Sequence, residues 1–167
     1  FEVSIHDIAD ETAKVSKSLS VDTLDTLERL DGYDIILFSL PIGVSEEVMR
    51  NVANEISGNA LVVDLSSVKS GVSKVMLESL PDGCEAVGLH PMFSPRASSI
   101  KGQNVILVPV RGSQGLEMLK SIFDEREACT TIMDTDVHDR HMALVQSLTH
   151  FILIAAGETL RVLDIEA

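Results

Sequence analysis

Short apolar strands alternate with helical segments along most of the chain, and this pattern constrains the fold more than any other feature. The sequence predicts strands at 1–6, 34–40, 59–65, 84–89, 104–108 and 130–133. Between them, helical spacing is found at about 7–19, 44–56, 70–80 and 114–125. Strands that are apolar throughout are typical of a parallel sheet buried on both faces. The sequence therefore predicts an α/β fold with a doubly wound, mostly parallel sheet.

Composition and charge exclude several classes of function. The chain has 167 residues and a net charge of −13, which argues against nucleic acid or an anionic membrane surface as a partner. No apolar run approaches the ~20 residues of a membrane-spanning helix. The only cysteines are Cys84 and Cys129, and the sequence has no Cys–His cluster with zinc spacing. We therefore expect a cytoplasmic protein without a disulfide framework or a metal site.

Several side chains lie at the ends of predicted strands or directly after them. They are Asp7, Ser39, Leu40, Pro41, Ser66, Ser67 and His90. In open α/β sheets, ligands bind at the edge formed by the carboxyl ends of the strands. Histidine is the side chain best suited to exchanging a proton near neutral pH. The sequence therefore predicts a ligand site at this edge, with His90 as its candidate catalytic group.

The same positions also have structural interpretations. Asp7, Ser66 and Ser67 can cap the helices that follow them, and Ser45 can cap the helix at 44–56. His90 alone is more often a structural histidine. Pro91 is expected to end strand pairing at Leu89, because proline has no N–H to donate. Four further residues are expected at the surface or at helix ends: Lys69, Arg96, His138 and His141.

The prediction of a dinucleotide cofactor rests on Asp7. An acidic residue that closes the second strand of a dinucleotide-binding fold accepts hydrogen bonds from the adenosine ribose and repels a 2′-phosphate. Asp7 therefore favours NAD over NADP, with Ser39, Leu40, Pro41 and Ser66 as the other candidate cofactor contacts. The chain has no GxGxxG segment. We expect that loop, and the central strand before it, to precede Phe1 in a longer protein.

Three stretches resemble the prephenate dehydrogenase family in order and spacing. They are DIILFSLPI at 34–42, VDLSSVK at 63–69 and GLHPMFSP at 88–95. The segment VHDRHMALVQSLTHF at 137–151 also resembles the first interdomain helix of that family. The resemblance covers nearly the whole chain, and it is more specific than a dinucleotide-binding pattern alone.

The resemblance implies a role for individual residues. His90 matches the catalytic histidine, and Ser67 matches the serine that helps to hold the reacting hydroxyl. Gln146 and His150 match positions that face the substrate. Ser94, where the family usually has glycine, is expected beside the substrate as well. The implied reaction is the NAD-dependent oxidative decarboxylation of prephenate to 4-hydroxyphenylpyruvate in tyrosine biosynthesis, with a neutral histidine accepting the hydroxyl hydrogen bond.

The resemblance also predicts the domains and the partners. Residues 1–134 are expected to form a Rossmann-type NAD-binding domain, and 135–167 the first helix of an all-helical dimerisation domain. The arginine that binds the substrate carboxylate is expected beyond Ala167. We expect a homodimer, and a fusion to chorismate mutase or another shikimate-pathway domain stays open.

Three alternatives remain at this point. Arogenate is a rival substrate, which differs from prephenate only by an amino group in place of the keto group. A second alternative is a regulatory module that binds a nucleotide without turnover, although the presence of both Ser67 and His90 argues against it. A β-hydroxyacid dehydrogenase relative is the third. Those enzymes place a lysine on the interdomain helix, where this chain has Gln146 and His150.

Overall fold

The computed structural model describes residues 1–9, 11–28 and 30–163, and it has the predicted alternation of strands and helices. The strands are β1 (Ser4–Ile5), β2 (Asp22–Thr23), β3 (Ile35–Phe38), β4 (Leu61–Asp64), β5 (Glu85–Pro91), β6 (Asn104–Arg111) and β7 (Cys129–Ile132). The helices are α1 (Thr12–Leu19), α2 (Ile42–Val52), α3 (Ser70–Ser79), α4 (Gln114–Glu125), α5 (Thr135–Met142) and α6 (Thr149–Val162). A 3₁₀ turn (Ala53–Glu55) follows α2, and a π-helical segment (Ala143–Leu148) joins α5 to α6.

Five of the strands form one sheet, in the order β3-β4-β5-β6-β7. Every neighbouring pair in this sheet is parallel except β5 and β6, which run antiparallel. The short strands β1 and β2 form a separate parallel pair. The predicted α/β fold with a mostly parallel sheet is therefore confirmed.

Strand β4, which lies between β3 and β5, is buried on both faces, as its continuous apolar sequence predicted. Val62 belongs to a core cluster with Met49 of α2 and Met76 of α3 on one face of the sheet. Its neighbour Val63 belongs to a second cluster with Leu119 of α4 on the other face. Successive side chains of a strand point to opposite faces, so a strand covered by helices on both sides needs apolar residues at every position.

Strand β5 extends further than the sequence predicted, and the expectation that Pro91 ends its pairing is wrong. Pro91 still pairs with Val105 of β6, and the N–H of Met92 donates to the carbonyl of Asn104 at 2.9 Å. N–H groups alternate in direction along a strand, so the nitrogen of Pro91 faces away from β6. On that side lies β4, whose last residue pair with β5 is Asp64 with Gly88, before the strand reaches Pro91. The missing N–H therefore removes no ladder hydrogen bond.

The start of α2 also corrects a prediction, since Ser45 does not cap this helix. Helix α2 begins at Ile42, and Pro41 occupies the capping position in an extended conformation. The Ser45 hydroxyl lies inside the first turn and donates back to the carbonyl of Pro41 at 2.9 Å. Proline is well suited to the start of a helix, because the first N–H groups of a helix have no intrahelical partner.

Helix α5, the π-helical segment and α6 form one continuous helix over residues 135–162. Its first part packs against the domain, where His138 and Met142 are buried. Its second part exposes large apolar side chains, among them Phe151, Leu153 and Ile154. By length and composition alone this helix could cross a membrane, which corrects the expectation that no apolar run is long enough. This is weak evidence for a membrane span, because helices that pack against protein have the same composition.

Candidate active site

His90 lies at the carboxyl end of β5, where the sequence predicted the site, and it is 5% exposed. Its Nδ1 is 2.9 Å from Nε2 of His138. Its Nε2 is 3.3 Å from the side-chain nitrogen of Gln146. The structure therefore brings the predicted catalytic histidine together with Gln146, which comes from the π-helical segment. Such segments are rare and frequently lie at functional sites.

The surroundings of His90 keep its imidazole neutral. Burial, followed by the electrostatic influence of His138 and Lys69, lowers the pKa of His90 from 6.5 to about 4. Asp64 and Asp139 act in the opposite direction but do not balance these effects. At neutral pH the ring therefore keeps one nitrogen with a free lone pair, and it can accept a hydrogen bond from a ligand.

Lys69 is completely buried beneath this edge of the sheet, so the expectation of a surface lysine is wrong. Its ammonium lies 2.7 Å from Asp64 Oδ2, 2.9 Å from the Asp64 carbonyl and 3.1 Å from the Leu89 carbonyl. All three ammonium protons therefore have an acceptor. Burial lowers the pKa of Lys69, while the Asp64 carboxylate acts to raise it. The lysine ties the end of β4 to the residue that precedes His90.

The turn after β4 holds the two predicted serines. The N–H of Ser66 donates to Asp64 Oδ1 at 3.1 Å, and its buried hydroxyl lies 2.7 Å from both Asp64 Oδ2 and the Val68 carbonyl. Ser67, the next residue, is half-buried. Neither serine caps α3 through its side chain. The roles of Ser66 toward a cofactor and of Ser67 toward a substrate stay predictions.

His138 and Asp139 complete the polar cluster, and the expectation that His138 lies at the surface is wrong. His138 is 0% exposed, and its Nδ1 lies 2.8 Å from Asp139 Oδ1. Asp139 also accepts the backbone N–H groups of Lys69 at 2.8 Å and Ser70 at 2.9 Å, where α3 begins. Burial alone would raise the pKa of Asp139, but these hydrogen bonds outweigh it and lower the pKa to about 2. Asp139 is therefore ionised.

A sequence signal for His138 was present in the helix that carries it. His138, Met142 and Gln146 recur at intervals of four residues, and such residues share one face of a helix. This is the face that packs toward His90. His141 is exposed, with its Nδ1 2.7 Å from the Val137 carbonyl. Its predicted surface position is confirmed.

The structure does not place two other predicted substrate contacts against His90. His150 is exposed on α6, and Ser94 is exposed in the loop after β5, where its hydroxyl accepts the N–H of Arg96 at 3.2 Å. Within residues 1–9, 11–28 and 30–163, neither side chain has a hydrogen bond to His90. Their roles toward a substrate stay predictions.

Asp7 lies apart from this cluster, in an open cleft of about 250 Å³ beside β1 and α1. Its carboxylate is exposed, and Oδ1 accepts the N–H of Ala9 at 2.8 Å. The expectation that Asp7 caps the helix after it is wrong, because α1 begins only at Thr12, with Glu11 at its N-cap. His6, Thr12 and Asp25 line the same cleft. An exposed carboxylate in an open cleft fits the hydroxyl groups of a ribose, which donate to such an acceptor. The residues present are therefore compatible with a dinucleotide cofactor.

The other predicted cofactor contacts follow β3. Ser39 and Pro41 are exposed, while Leu40 is half-buried and packs against the core beside α2. Their contacts with a cofactor stay predictions. In the part of the chain that the structure describes, no group of three or more potential metal ligands comes together.

The sequence is similar to that of known dehydrogenases. The family model described as "Prephenate dehydrogenase, nucleotide-binding domain" matches residues 1–132. The probable arogenate/prephenate dehydrogenase of Methanocaldococcus jannaschii is 33% identical over 156 residues, which are 91% of this chain and 35% of that protein. The 4-amino-4-deoxyprephenate dehydrogenase of Streptomyces pristinaespiralis is 29% identical over 142 residues, 85% of this chain and 47% of that protein.

Solved structures show the same fold. The crystal structure of prephenate dehydrogenase from Aquifex aeolicus in complex with hydroxyphenyl propionate and NAD+ has a TM-score of 0.81 at 20% identity. The match covers 99% of this chain and 62% of that one. The chain also spans only about a third to a half of the two relatives above. On the family match, the chain belongs to the prephenate dehydrogenase family and carries its nucleotide-binding domain.

Proposed function

We propose that the complete protein containing this chain catalyses the NAD-dependent oxidative decarboxylation of prephenate to 4-hydroxyphenylpyruvate, a step of tyrosine biosynthesis. The observation that carries this proposal is His90, which is buried, neutral and placed at the carboxyl edge of the sheet next to Gln146. The family match supports the class of reaction, and it makes the enzyme an oxidoreductase.

The cofactor is NAD in this proposal. The exposed Asp7 carboxylate offers an acceptor for the adenosine ribose, and its charge disfavours the 2′-phosphate of NADP. The crystal structure of the Aquifex aeolicus relative contains NAD+, which supports the same choice. When bound, NAD supplies the carbon that accepts a hydride from the substrate.

His90 assists the reaction by accepting the hydrogen bond of the ring hydroxyl. The carbon that carries this hydroxyl gives up a hydride, and the electron pair of the ring–carboxylate bond completes the aromatic ring as carbon dioxide leaves. A neutral His90 polarises the O–H bond while positive charge develops on that carbon. A positioned base contributes about 10²–10⁴ in rate. Ser67 is proposed to fix the direction of the hydroxyl, which reduces the entropy lost on reaching the reactive geometry.

Arogenate is the second candidate substrate, because the Methanocaldococcus jannaschii relative is named for both compounds. The Streptomyces pristinaespiralis relative is named for a substrate with an amine in place of the ring hydroxyl. A neutral imidazole nitrogen accepts a hydrogen bond from a hydroxyl or from an amine. His90 therefore does not select among these three compounds, and the choice depends on groups that contact the rest of the substrate.

The proposal is tested on the complete protein with prephenate, arogenate and 4-amino-4-deoxyprephenate, each with NAD or NADP. Formation of reduced nicotinamide is followed by its absorbance. We expect turnover of prephenate with NAD and a loss of about 10²–10⁴ in kcat for His90→Asn. His141→Asn makes the same chemical change at an exposed histidine and should keep full activity.

Two results would count against the proposal. Full turnover by His90→Asn would remove the role of His90 while leaving the reaction in place. Absence of turnover with every substrate and cofactor, together with measurable binding of NAD, would favour the regulatory module instead.

The proposal extends to the assembly of the protein. The large apolar side chains exposed along α6 form a surface of the kind that marks an interface with other protein segments. We propose that the helical part of the complete protein covers them and that the protein is a homodimer. Sedimentation of the complete protein measures this directly, and a monomer at micromolar concentration would contradict it. The cytoplasmic location and a fusion to another shikimate-pathway domain stay predictions.

A further inference from the structure

Asp139, His138 and His90 form a continuous line of hydrogen bonds that ends at the candidate active site. Asp139 Oδ1 is 2.8 Å from His138 Nδ1, and His138 Nε2 is 2.9 Å from His90 Nδ1. Both imidazole rings are buried, with 0% and 5% exposure. In the reaction proposed above, only His90 at the end of this line contacts the substrate, and neither His138 nor Asp139 has a role.

The order of donors along the line follows from the charge at its far end. An ionised carboxylate can only accept, so the Nδ1 of His138 carries a proton and donates it to Asp139. In a neutral His138 the Nε2 then has a free lone pair, and the Nδ1 of His90 must be the donor. A neutral His90 with a proton on Nδ1 has none on Nε2, the nitrogen that lies 3.3 Å from the Gln146 amide.

We infer that His138 and Asp139 are positioning residues that hold His90 in the tautomer protonated on Nδ1, so that Nε2 is always the acceptor presented to the substrate. An isolated imidazole exchanges between its two tautomers, and one of them could not accept the hydroxyl hydrogen bond from this direction. The hydrogen bond made by one ring nitrogen decides the state of the other. In the Ser-His-Asp triad an aspartate holds the catalytic histidine in one tautomer by a direct hydrogen bond. Here the Asp139 carboxylate acts on His90 through the ring of His138.

Asp139 also connects the two parts of the site that hold the predicted catalytic residues. Its two carboxylate oxygens accept the N–H groups of Lys69 and Ser70, which follow the turn containing Ser67. The same carboxylate therefore fixes the start of α3 and, through His138, the ring of His90. Its negative charge also lies where it can offset the positive charge that His90 acquires as it takes up a share of the substrate proton.

The tautomer of His90 can be measured without turnover, so this measurement tests the inference independently of the proposed function. Only the predicted effects on kcat rest on the proposed function. The complete protein is labelled with ¹⁵N-histidine, and the two ring nitrogens of His90 are observed by long-range proton–nitrogen correlation at neutral pH. The His90→Gln variant assigns the signals by their loss. We expect a protonated Nδ1 and an unprotonated Nε2. A protonated Nε2 on a neutral ring would overturn the inference, whatever the activity of the protein.

Two substitutions of similar shape test the role of His138 in catalysis. Glutamine places an amide oxygen near the position of the lost Nε2, so His138→Gln retains an acceptor for His90 Nδ1. His138→Met fills similar space without that acceptor. We expect His138→Met to lower kcat about 10²-fold with little change in KM, the lower end of the contribution of a positioned base. His138→Gln should recover most of this loss.

His141→Gln serves as the control, because His141 lies on the same helix with its ring exposed. It should leave kcat and the His90 signals unchanged. Equal kcat for His138→Met and His138→Gln, in folded proteins with the His90 tautomer of the wild type, would show that the line of hydrogen bonds has no part in turnover. A variant that fails to fold does not affect the wild-type tautomer measurement.

Discussion

Lys69 and Asp64 form an ion pair in the interior, with 2.7 Å between Nζ and Oδ2 and side-chain exposures of 0% and 2%. The pair lies directly beneath the residues that carry the site, since the lysine also donates to the carbonyl of Leu89. A charge in such a place is tolerated only while its partner and its hydrogen bonds are complete. The stability of the site therefore depends on a contact between the ends of β4 and β5.

Replacing Lys69 by methionine should strongly destabilise the domain. The substitution keeps the apolar part of the side chain but leaves the Asp64 carboxylate buried without its counter-ion, which costs about 3–5 kcal/mol. The free energy of unfolding from urea titration measures the loss. Lys74→Met is the matched control, because Lys74 is 72% exposed and pairs with Glu78 at 3.8 Å. We expect it to change stability by less than about 1 kcal/mol, and an equal loss in both variants would contradict the prediction.

Gly88→Ala in β5 should also disturb the Lys69–Asp64 ion pair, because Lys69 packs against Gly88. A Cβ at Gly88 would lie 3.0 Å from Cδ of Lys69 and 3.2 Å from Cβ of Val108. The lysine crosses β5 where there is no side chain, so the added methyl group displaces it or the neighbouring strand. We expect a loss of about 1–3 kcal/mol in the free energy of unfolding.

Gly157→Ala provides the comparison for Gly88→Ala, because a Cβ at Gly157 in α6 meets nothing within 4 Å. That variant should be neutral or up to about 1 kcal/mol more stable, since alanine favours a helix over glycine. A Gly88→Ala protein as stable as the wild type would show that Lys69 can move aside without loss.

The acid limb of the activity profile should lie below the ordinary pKa of histidine. His90 must be neutral to accept the substrate hydrogen bond, and the surroundings lower its pKa from 6.5 to about 4. Lys69, Asp64, His138 and Asp139 are the charged or titratable groups around it. We expect kcat/KM to hold nearly constant as pH falls to about 5 and to decrease below that. An acid limb at pH 6.5 or above would contradict the lowered pKa.

Folding stability should change with pH over the same range and in the same direction. The unfolded chain takes up a proton on His90 near pH 6.5, whereas the folded protein does so only near pH 4. Between these values the unfolded state binds more protons, so the free energy of unfolding falls as pH falls. Asp139, with its pKa lowered from 3.8 to about 2, adds a further loss below about pH 4.

Denaturant titrations at pH 7 and pH 4.5 measure this change in stability. The difference between the two should be smaller in His90→Gln than in the wild type. His141→Gln, altered at an exposed histidine, should retain the wild-type difference. An equal pH dependence in all three proteins would show that His90 does not titrate differently in the folded and unfolded states.

Asp7→Ser should weaken NAD binding and relax the preference against NADP. The substitution removes a charged acceptor for the ribose hydroxyls, and a hydrogen bond to a charged group is worth about 1.5–3 kcal/mol. We expect KM for NAD to rise about tenfold or more and the ratio of NAD to NADP efficiency to fall. Asp82→Ser removes the same charge at an exposed turn and should change neither. An unchanged KM for NAD in Asp7→Ser would place the ribose elsewhere.

The sequence by itself determined the class of fold and the edge of the sheet that carries the site. Residues 61–64 are apolar at almost every position, and such a strand is stable only between two covering layers. The same local reasoning placed His90 at the end of its strand. These features depend on residues that are close together in the sequence, and the spacing of apolar residues in strands and helices reveals them directly.

Only the tertiary structure decided which polar groups meet. Lys69 and His138 were expected at the surface, because a charged or polar side chain is exposed unless a partner compensates its burial. Their partners come from distant segments: Lys69 donates to Leu89, 20 residues away, and His138 meets His90 at a separation of 48. The periodicity of one helix does not identify the residues that it will face. Packing of the long helix against the sheet edge brought Asp139, His138 and His90 into one line of hydrogen bonds.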